Sequence, residues 1–133
     1  MPFGEHQWIL VVEDDIELRA TLSMFLQSHQ YPTISVSNGV EALRILTDKT
    51  KHLPCLIVMN LDMPIMDGSL LLRVIECCEK FMGIPICIAT GSINIPESGR
   101  YKILHKPYSV EQLLEVVEQT GVEKMNHIPP PNI

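Results

Sequence analysis

The chain has 133 residues, of which 46% are hydrophobic and 20% are charged, and its formal net charge is −6. These values predict one globular domain that buries a core without the help of disulfides or metals. The acidic balance argues against nucleic acid and against an anionic membrane as partners, because both require a basic surface.

The sequence gives no sign of export or membrane insertion. No apolar run approaches the ~18 residues of a membrane span, and the first residues, MPFGEHQW, lack the basic and apolar regions of a signal peptide. We therefore expect a cytoplasmic protein. Its cysteines form no C-x-x-C pair, and we expect them to be reduced and buried in apolar segments. They are Cys55, Cys77, Cys78 and Cys87.

The first half of the chain alternates between apolar runs and helical periodicity. Residues 7–12 (QWILVV) form a continuous apolar run, which is typical of a strand buried on both faces. Asp14 or Asp15 can cap the helix that follows. Residues 34–36 predict a second strand, and Asn38 with Glu41 resembles a capping box at the start of a second helix.

The second half continues the same alternation. Residues 55–59 predict a third strand and residues 69–80 a third helix, while residues 84–90 and 102–105 predict the last two strands. Ser109 and Gln112 form a capping box at the start of a final helix. We expect residues 1–6 to be an N-terminal extension, residues 7–121 to be the domain, and residues 122–133 to be a flexible Pro-rich tail.

Alternating strands and helices predict a doubly wound α/β fold with a parallel five-stranded sheet. Only ten residues, GSINIPESGR (91–100), separate the fourth and fifth predicted strands. An average helix of about 11 residues with its two connections does not fit in that space. The fourth helix is therefore predicted to be shortened or absent.

Polar residues follow the predicted strands where their carboxyl ends meet, which is where open parallel sheets bind ligands. Glu13 and Asp14 follow the first strand, Asn60 the third, Thr90 ends the fourth and Lys106 follows the fifth. Carboxylate and amide oxygens suit a hard cation such as Mg²⁺. A hydroxyl and a lysine suit the oxygens of a phosphoryl group.

Four motifs at these strand ends resemble the receiver domain of two-component response regulators. They are ILVVEDD, MNLDMPIMDG, the pair Ala89–Thr90, and HKPY, and the resemblance extends over residues 7–120. It implies a flavodoxin-like (βα)₅ fold and a role in phosphorelay signal transduction.

The resemblance also implies roles for the acidic residues and for Asn60. Glu13 and Asp14 match the acidic pair that holds Mg²⁺, and Asp62 matches a residue that binds the metal through its backbone carbonyl. Asn60 stands where the family has the aspartate that accepts the phosphoryl group. The side chain of Asp62, two residues further on, is expected to point away from the pocket as a solvated turn residue.

The remaining positions belong to the family's switch. Thr90 matches the hydroxyl that hydrogen-bonds the phosphoryl group, and Lys106 matches the lysine that pairs with it. Ile103 occupies the position three before the lysine, which is usually aromatic, and Tyr101 is two residues out of register.

An amide at position 60 changes the expected chemistry. Phosphoryl transfer to a side chain needs an anionic oxygen beside Mg²⁺, and an amide oxygen is a much poorer nucleophile. We expect no catalytic residue, no phosphorylation at Asn60 and weakened Mg²⁺ binding. Two interpretations stay open, a natural pseudo-receiver and an engineered Asp-to-Asn variant; a non-signalling flavodoxin-like binding module is a third, less favoured alternative.

The resemblance also implies protein partners. A histidine kinase, a histidine phosphotransfer protein or another signalling protein is expected to bind through the first helix and nearby loops. A homodimer stays open. The chain is expected to act as a stand-alone receiver, without an output domain.

Overall fold

Five strands lie parallel in one sheet in the computed structural model, which describes residues 7–63, 68–91 and 100–122. In chain order the strands are β1 (Ile9–Val12), β2 (Thr33–Val36), β3 (Leu56–Asn60), β4 (Ile86–Thr90) and β5 (Tyr101–His105). Their order across the sheet is β2-β1-β3-β4-β5. This is the flavodoxin-like order, so the predicted fold class is confirmed.

Helices cover both faces of the sheet. The described residues contain four α-helices and a 3-10 helix at Glu79–Phe81. The α-helices are α1 (Ile16–Ser28), α2 (Gly39–Leu46), α3 (Gly68–Glu76) and α4 (Val110–Thr120). The expectation that the third helix runs to residue 80 is wrong, because the chain tightens after Glu76 into the 3-10 turn.

Alternating side chains of the strands build two separate apolar layers. Leu10 and Ile57 belong to the layer under α2 and α3, where Leu71 and Ile75 of α3 pack. Their strand neighbours contribute to the layer under α1 and α4. In that second layer the fully or nearly fully buried residues are Ile9, Val11, Leu22, Leu26, Tyr31, Leu56, Val58, Cys87, Ala89, Leu113 and Val117. The sheet is therefore buried on both faces, as the apolar runs predict.

Side-chain caps fix where three of the helices begin. Asp15 caps α1 by accepting from the N–H groups of Glu17 and Leu18. The predicted capping box of Ser109 with Gln112 is confirmed at α4. At α2 the predicted box is wrong in one half: Asn38 accepts from the Glu41 N–H, but the Glu41 carboxylate accepts from Ser37.

Several expectations fall on parts of the chain outside the described residues. Residues 92–99, where the fourth helix is predicted to be reduced, lie outside them, as do the predicted extension (1–6) and most of the predicted tail (123–133). Within the described ranges no helix has both the length and the apolar character needed to cross a bilayer.

The cysteines are free thiols in different environments. Cys87 is buried in β4, and burial raises its pKa to about 12. Cys55 and Cys78 are half-buried, whereas Cys77 is exposed just beyond the end of α3. The expectation that all four are buried is therefore confirmed for Cys87, holds only in part for Cys55 and Cys78, and is wrong for Cys77.

Candidate functional site

The sheet register brings the predicted site residues to one edge. Asn60, the last residue of β3, pairs with Ala89, and Thr90, the last residue of β4, pairs with His105. Glu13 and Lys106 directly follow β1 and β5. Since parallel strands end at a common edge, these side chains converge on one pocket, as predicted.

The side-chain amide of Asn60 is the centre of that pocket. Its Nδ2 donates to Glu13 Oε2 and to Asp14 Oδ1, each at 3.1 Å. Its Oδ1 accepts from the Asp62 backbone N–H at 3.0 Å and from Lys106 Nζ at 2.9 Å. Asn60 is only 5% exposed. The amide thus uses two donors and two acceptor positions, which is its full capacity.

These four contacts also fix which way the amide faces. Turning it over would set Oδ1 against the carboxylates of Glu13 and Asp14, and Nδ2 against the Lys106 ammonium and the Asp62 N–H. Every contact would then join two acceptors or two donors. The nitrogen therefore faces the acidic pair and the oxygen faces Lys106.

Glu13 is a buried carboxylate, 3% exposed. Burial is the main cause that raises its pKa, and the neighbouring Asp14 acts in the same direction. The Asp15 N–H, the Asn60 amide and the positive charge of Lys106 oppose the increase. The Asp15 N–H donates to Glu13 Oε2 at 3.0 Å. The Asp15 N–H, the Asn60 amide and the charge of Lys106 therefore offset only part of the rise in the Glu13 pKa that burial causes.

Thr90 and Asp62 meet at the mouth of the pocket. Thr90 is fully buried, and its Oγ1 donates to Asp62 Oδ2 in a long hydrogen bond of 3.4 Å. The expectation that the Asp62 side chain points away from the pocket is wrong, although the residue is exposed as expected. Its direction depends on the conformation of the turn after β3, which residue spacing does not reveal.

The expected switch position is occupied by an aliphatic residue. Ile103 is half-buried and packs against the layer under α2 and α3. The Tyr101 hydroxyl donates to the Glu76 carboxylate, and its pKa is raised to about 12 by burial and by that carboxylate. Tyr101 is thus tied to α3 rather than to the pocket.

An apolar groove beside the pocket was not foreseen from the sequence as a single feature. It has a volume of about 460 Å³ and lies between α1 and the turn from β5 to α4. Its lining residues are Leu18, Leu22, Lys106, Pro107, Tyr108 and Val110. The Tyr108 hydroxyl is buried and, within the described chain, has no hydrogen-bond partner. Lys106 joins the groove to the pocket.

The arrangement of donors in the pocket does not fit a bound Mg²⁺ ion. Mg²⁺ takes oxygen ligands in octahedral geometry, but the group between Glu13 and Asp14 is the nitrogen of Asn60, which points its hydrogens at both carboxylates. The described residues contain no group of three Asp, Glu, His or Cys side chains that could hold a metal. A cation could enter only after the amide had moved.

A family model and two curated proteins match most of the chain. The model described as response regulator receiver domain matches residues 9–118. Sporulation initiation phosphotransferase F of Bacillus subtilis is 26% identical, with 84% of this chain and 90% of that protein covered. The sensor histidine kinase CheAY of Helicobacter pylori is 28% identical over 84% of this chain, but the chain spans only 15% of that protein.

A solved structure agrees with the fold. The receiver domain of a sensor histidine kinase from Pseudomonas aeruginosa, with a magnesium ion coordinated in its active-site cleft, is similar with a TM-score of 0.73 at 24% identity. The similarity covers 86% of this chain and 98% of that one. At this identity the likeness supports the fold and carries no residue roles.

Proposed function

Because the chain belongs to the response regulator receiver family, we propose that it works in phosphorelay signalling by binding a partner and not by accepting a phosphoryl group at Asn60. The observation that carries this proposal is the Asn60 amide, which is bonded on both sides to its neighbours in the pocket. The proposal makes the chain a binding module, without catalytic residues.

The amide supports this proposal for two chemical reasons. An amide oxygen carries no formal charge, so it is a poor nucleophile toward phosphorus. The Oδ1 atom is also occupied, because it accepts from both Lys106 and the Asp62 N–H. Transfer to this oxygen would require breaking both hydrogen bonds, and the amide offers no anionic oxygen to attack the phosphorus.

The groove beside the pocket is the proposed contact surface. Leu18 and Leu22 come from α1, while Pro107, Tyr108 and Val110 come from the other wall. An apolar groove of this kind suits the apolar side of a helix. The partner is proposed to be a histidine kinase or a histidine phosphotransfer protein, in keeping with relatives named as a phosphotransferase and a sensor histidine kinase.

A binding measurement with a matched pair of variants tests the proposal. Purified histidine phosphotransfer proteins and kinase phosphoacceptor domains from the source genome would be passed over the immobilised chain. We expect one of them to bind, and we expect Leu18→Asp to weaken that binding at least tenfold. Leu70→Asp is the control, because Leu70 is an exposed leucine (47%) on α3, across the sheet from α1.

Thermal unfolding of both variants would show whether each remains folded. Equal weakening by Leu18→Asp and Leu70→Asp would contradict the assigned surface. The absence of binding to every tested kinase and phosphotransfer protein would contradict the proposed partner class.

A further inference from the structure

We infer that the pocket is liganded by the chain's own side chains: the Asn60 amide nitrogen takes the place of a divalent cation, and the Asp62 carboxylate takes the place of an anion at Thr90. This inference rests on the proposed function only in that Asn60 carries no phosphoryl group. Its consequence is a pocket that stays in one state whether or not Mg²⁺ is present.

The cation position is filled by two N–H groups. Nδ2 lies 3.1 Å from a carboxylate oxygen of Glu13 and 3.1 Å from one of Asp14, so each carboxylate receives one donor. Hydrogen bonds to charged acceptors are stronger than bonds between neutral groups. A cation bound between the same two oxygens would have to displace the amide, and the displaced amide would lose its contacts to Lys106 and Asp62 as well.

The anion position is filled from the turn after β3. Two hydrogen bonds hold Asp62 in place. Its backbone N–H donates to Asn60 Oδ1 at 3.0 Å, and its carboxylate accepts from Thr90 Oγ1 at 3.4 Å. The Thr90 hydroxyl is buried, so it depends on the protein for an acceptor. Asp62 supplies a charged one at the open side of the pocket.

Together these contacts join the ends of four neighbouring strands. Asn60 ends β3 and Thr90 ends β4, while Glu13 follows β1 and Lys106 follows β5. Backbone bonds run alongside, from the Leu61 N–H to Ala89 O at 3.1 Å and from the Lys106 N–H to Thr90 O at 2.9 Å. Removing one side-chain contact should therefore weaken the others as well.

The first part of the inference, that the Asn60 amide nitrogen takes the place of a cation, is called the cation half. It is tested by MgCl₂ titration of the ¹⁵N-labelled chain, followed in ¹H–¹⁵N spectra without a phosphoryl donor. We expect no saturable shift in the unmodified chain up to ~20 mM. Asn60→Asp should give saturable shifts at Glu13 and Asp14, because a carboxylate cannot donate to them and leaves the position open.

Two results would overturn the cation half. One is saturable binding of Mg²⁺ by the unmodified chain. The other is an Asn60→Asp protein, folded by its spectrum, that also ignores Mg²⁺, since the amide would then not be what excludes the cation. A failure of the proposed function is distinguishable, because it would appear as a phosphoryl group on the chain or as a missing partner.

The anion half is tested by a double-mutant cycle on Asp62 and Thr90, read as the urea midpoint of unfolding. We expect Asp62→Ala and Thr90→Val to lower the midpoint and the double variant to lose less than the sum of the two. Asp62→Asn is the matched control, because its carboxamide oxygen still accepts from Thr90. Strictly additive losses, or an Asp62→Asn protein that loses as much as Asp62→Ala, would overturn this half.

Discussion

Lys106 Nζ lies 2.9 Å from Asn60 Oδ1, while the nitrogen of the same amide faces Glu13 and Asp14. An amide suits this position because it is a donor on one side and an acceptor on the other. An aspartate would pair more strongly with Lys106, but it would add a third carboxylate beside two existing ones and could not donate to them. The pocket is therefore matched to an amide.

The first prediction is that Asn60→Asp destabilises the folded chain. We expect the free energy of unfolding to fall by about 2 kcal/mol at pH 7.5 without Mg²⁺, because two buried donors are lost and a charge is added next to like charges. Urea unfolding would measure it.

The control for that substitution is Asn38→Asp. Asn38 caps α2 through its side-chain oxygen, and Asp caps helices about as well as Asn, so we expect a change within ~0.5 kcal/mol. If Asn60→Asp were as stable as the unmodified chain, the importance of the amide to the pocket would be contradicted.

The second prediction concerns Gly68, the first residue of α3. Its N–H donates to Leu61 O at 2.8 Å, and a Cβ at this position would collide with the backbone of Asn60 and Leu61. We expect Gly68→Ala to lower the free energy of unfolding by about 1–3 kcal/mol, because the start of α3 must shift away from the backbone of Asn60 and Leu61. Chemical denaturation of the variant would measure the loss.

Gly83→Ala is the matched control, since a Cβ there meets nothing within 4 Å. We expect that variant to be neutral or slightly stabilised. Equal stability of the two alanine variants would show that the close approach of α3 to β3 is not required.

The third prediction is that the stability of the folded chain depends on pH through the ionisation of Glu41. Hydrogen bonds from the Ser37 hydroxyl and N–H lower the pKa of Glu41 below its usual 4.5. Because the folded-state pKa is lowered, the stabilisation is present above pH 4.5 and is lost as the pH falls through the folded value.

Glu41→Gln should therefore lower the free energy of unfolding more at pH 7 than near pH 3. We expect a loss below about 1 kcal/mol, since the carboxylate is well solvated. Unfolding curves at both pH values would measure it, with Glu115→Gln, an exposed position on α4, as the control. A loss that is the same at both pH values would contradict the prediction.

The convergence of the pocket residues could be predicted because it depends on the sheet alone. Once residues 7–12, 55–59, 84–90 and 102–105 are recognised as parallel strands, the residues after them must share an edge. The order of the strands across the sheet could not be predicted in this way, because an apolar run does not specify which strands lie beside it. That order was expected only from the resemblance to receiver domains.

Side-chain directions within turns could not be predicted in the same way. Asp62 turns toward Thr90, and Glu41 reaches Ser37 instead of the N–H of Asn38. Each choice depends on backbone angles of one or two residues, where competing hydrogen bonds differ by about 1 kcal/mol. The groove beside Lys106 was missed because Leu18 and Pro107 are 89 positions apart in the sequence.

Intact mass spectrometry would show whether Asn60 accepts a phosphoryl group. The chain and Asn60→Asp would be incubated side by side with Mg²⁺ and acetyl phosphate. We predict that only Asn60→Asp gains the mass of a phosphoryl group, because Lys106, Thr90 and the acidic pair are in place and only the acceptor is absent. A phosphoryl group on the unmodified chain would contradict the proposal that this protein acts only by binding, and peptide mapping would then begin at Asp62 and Asp14.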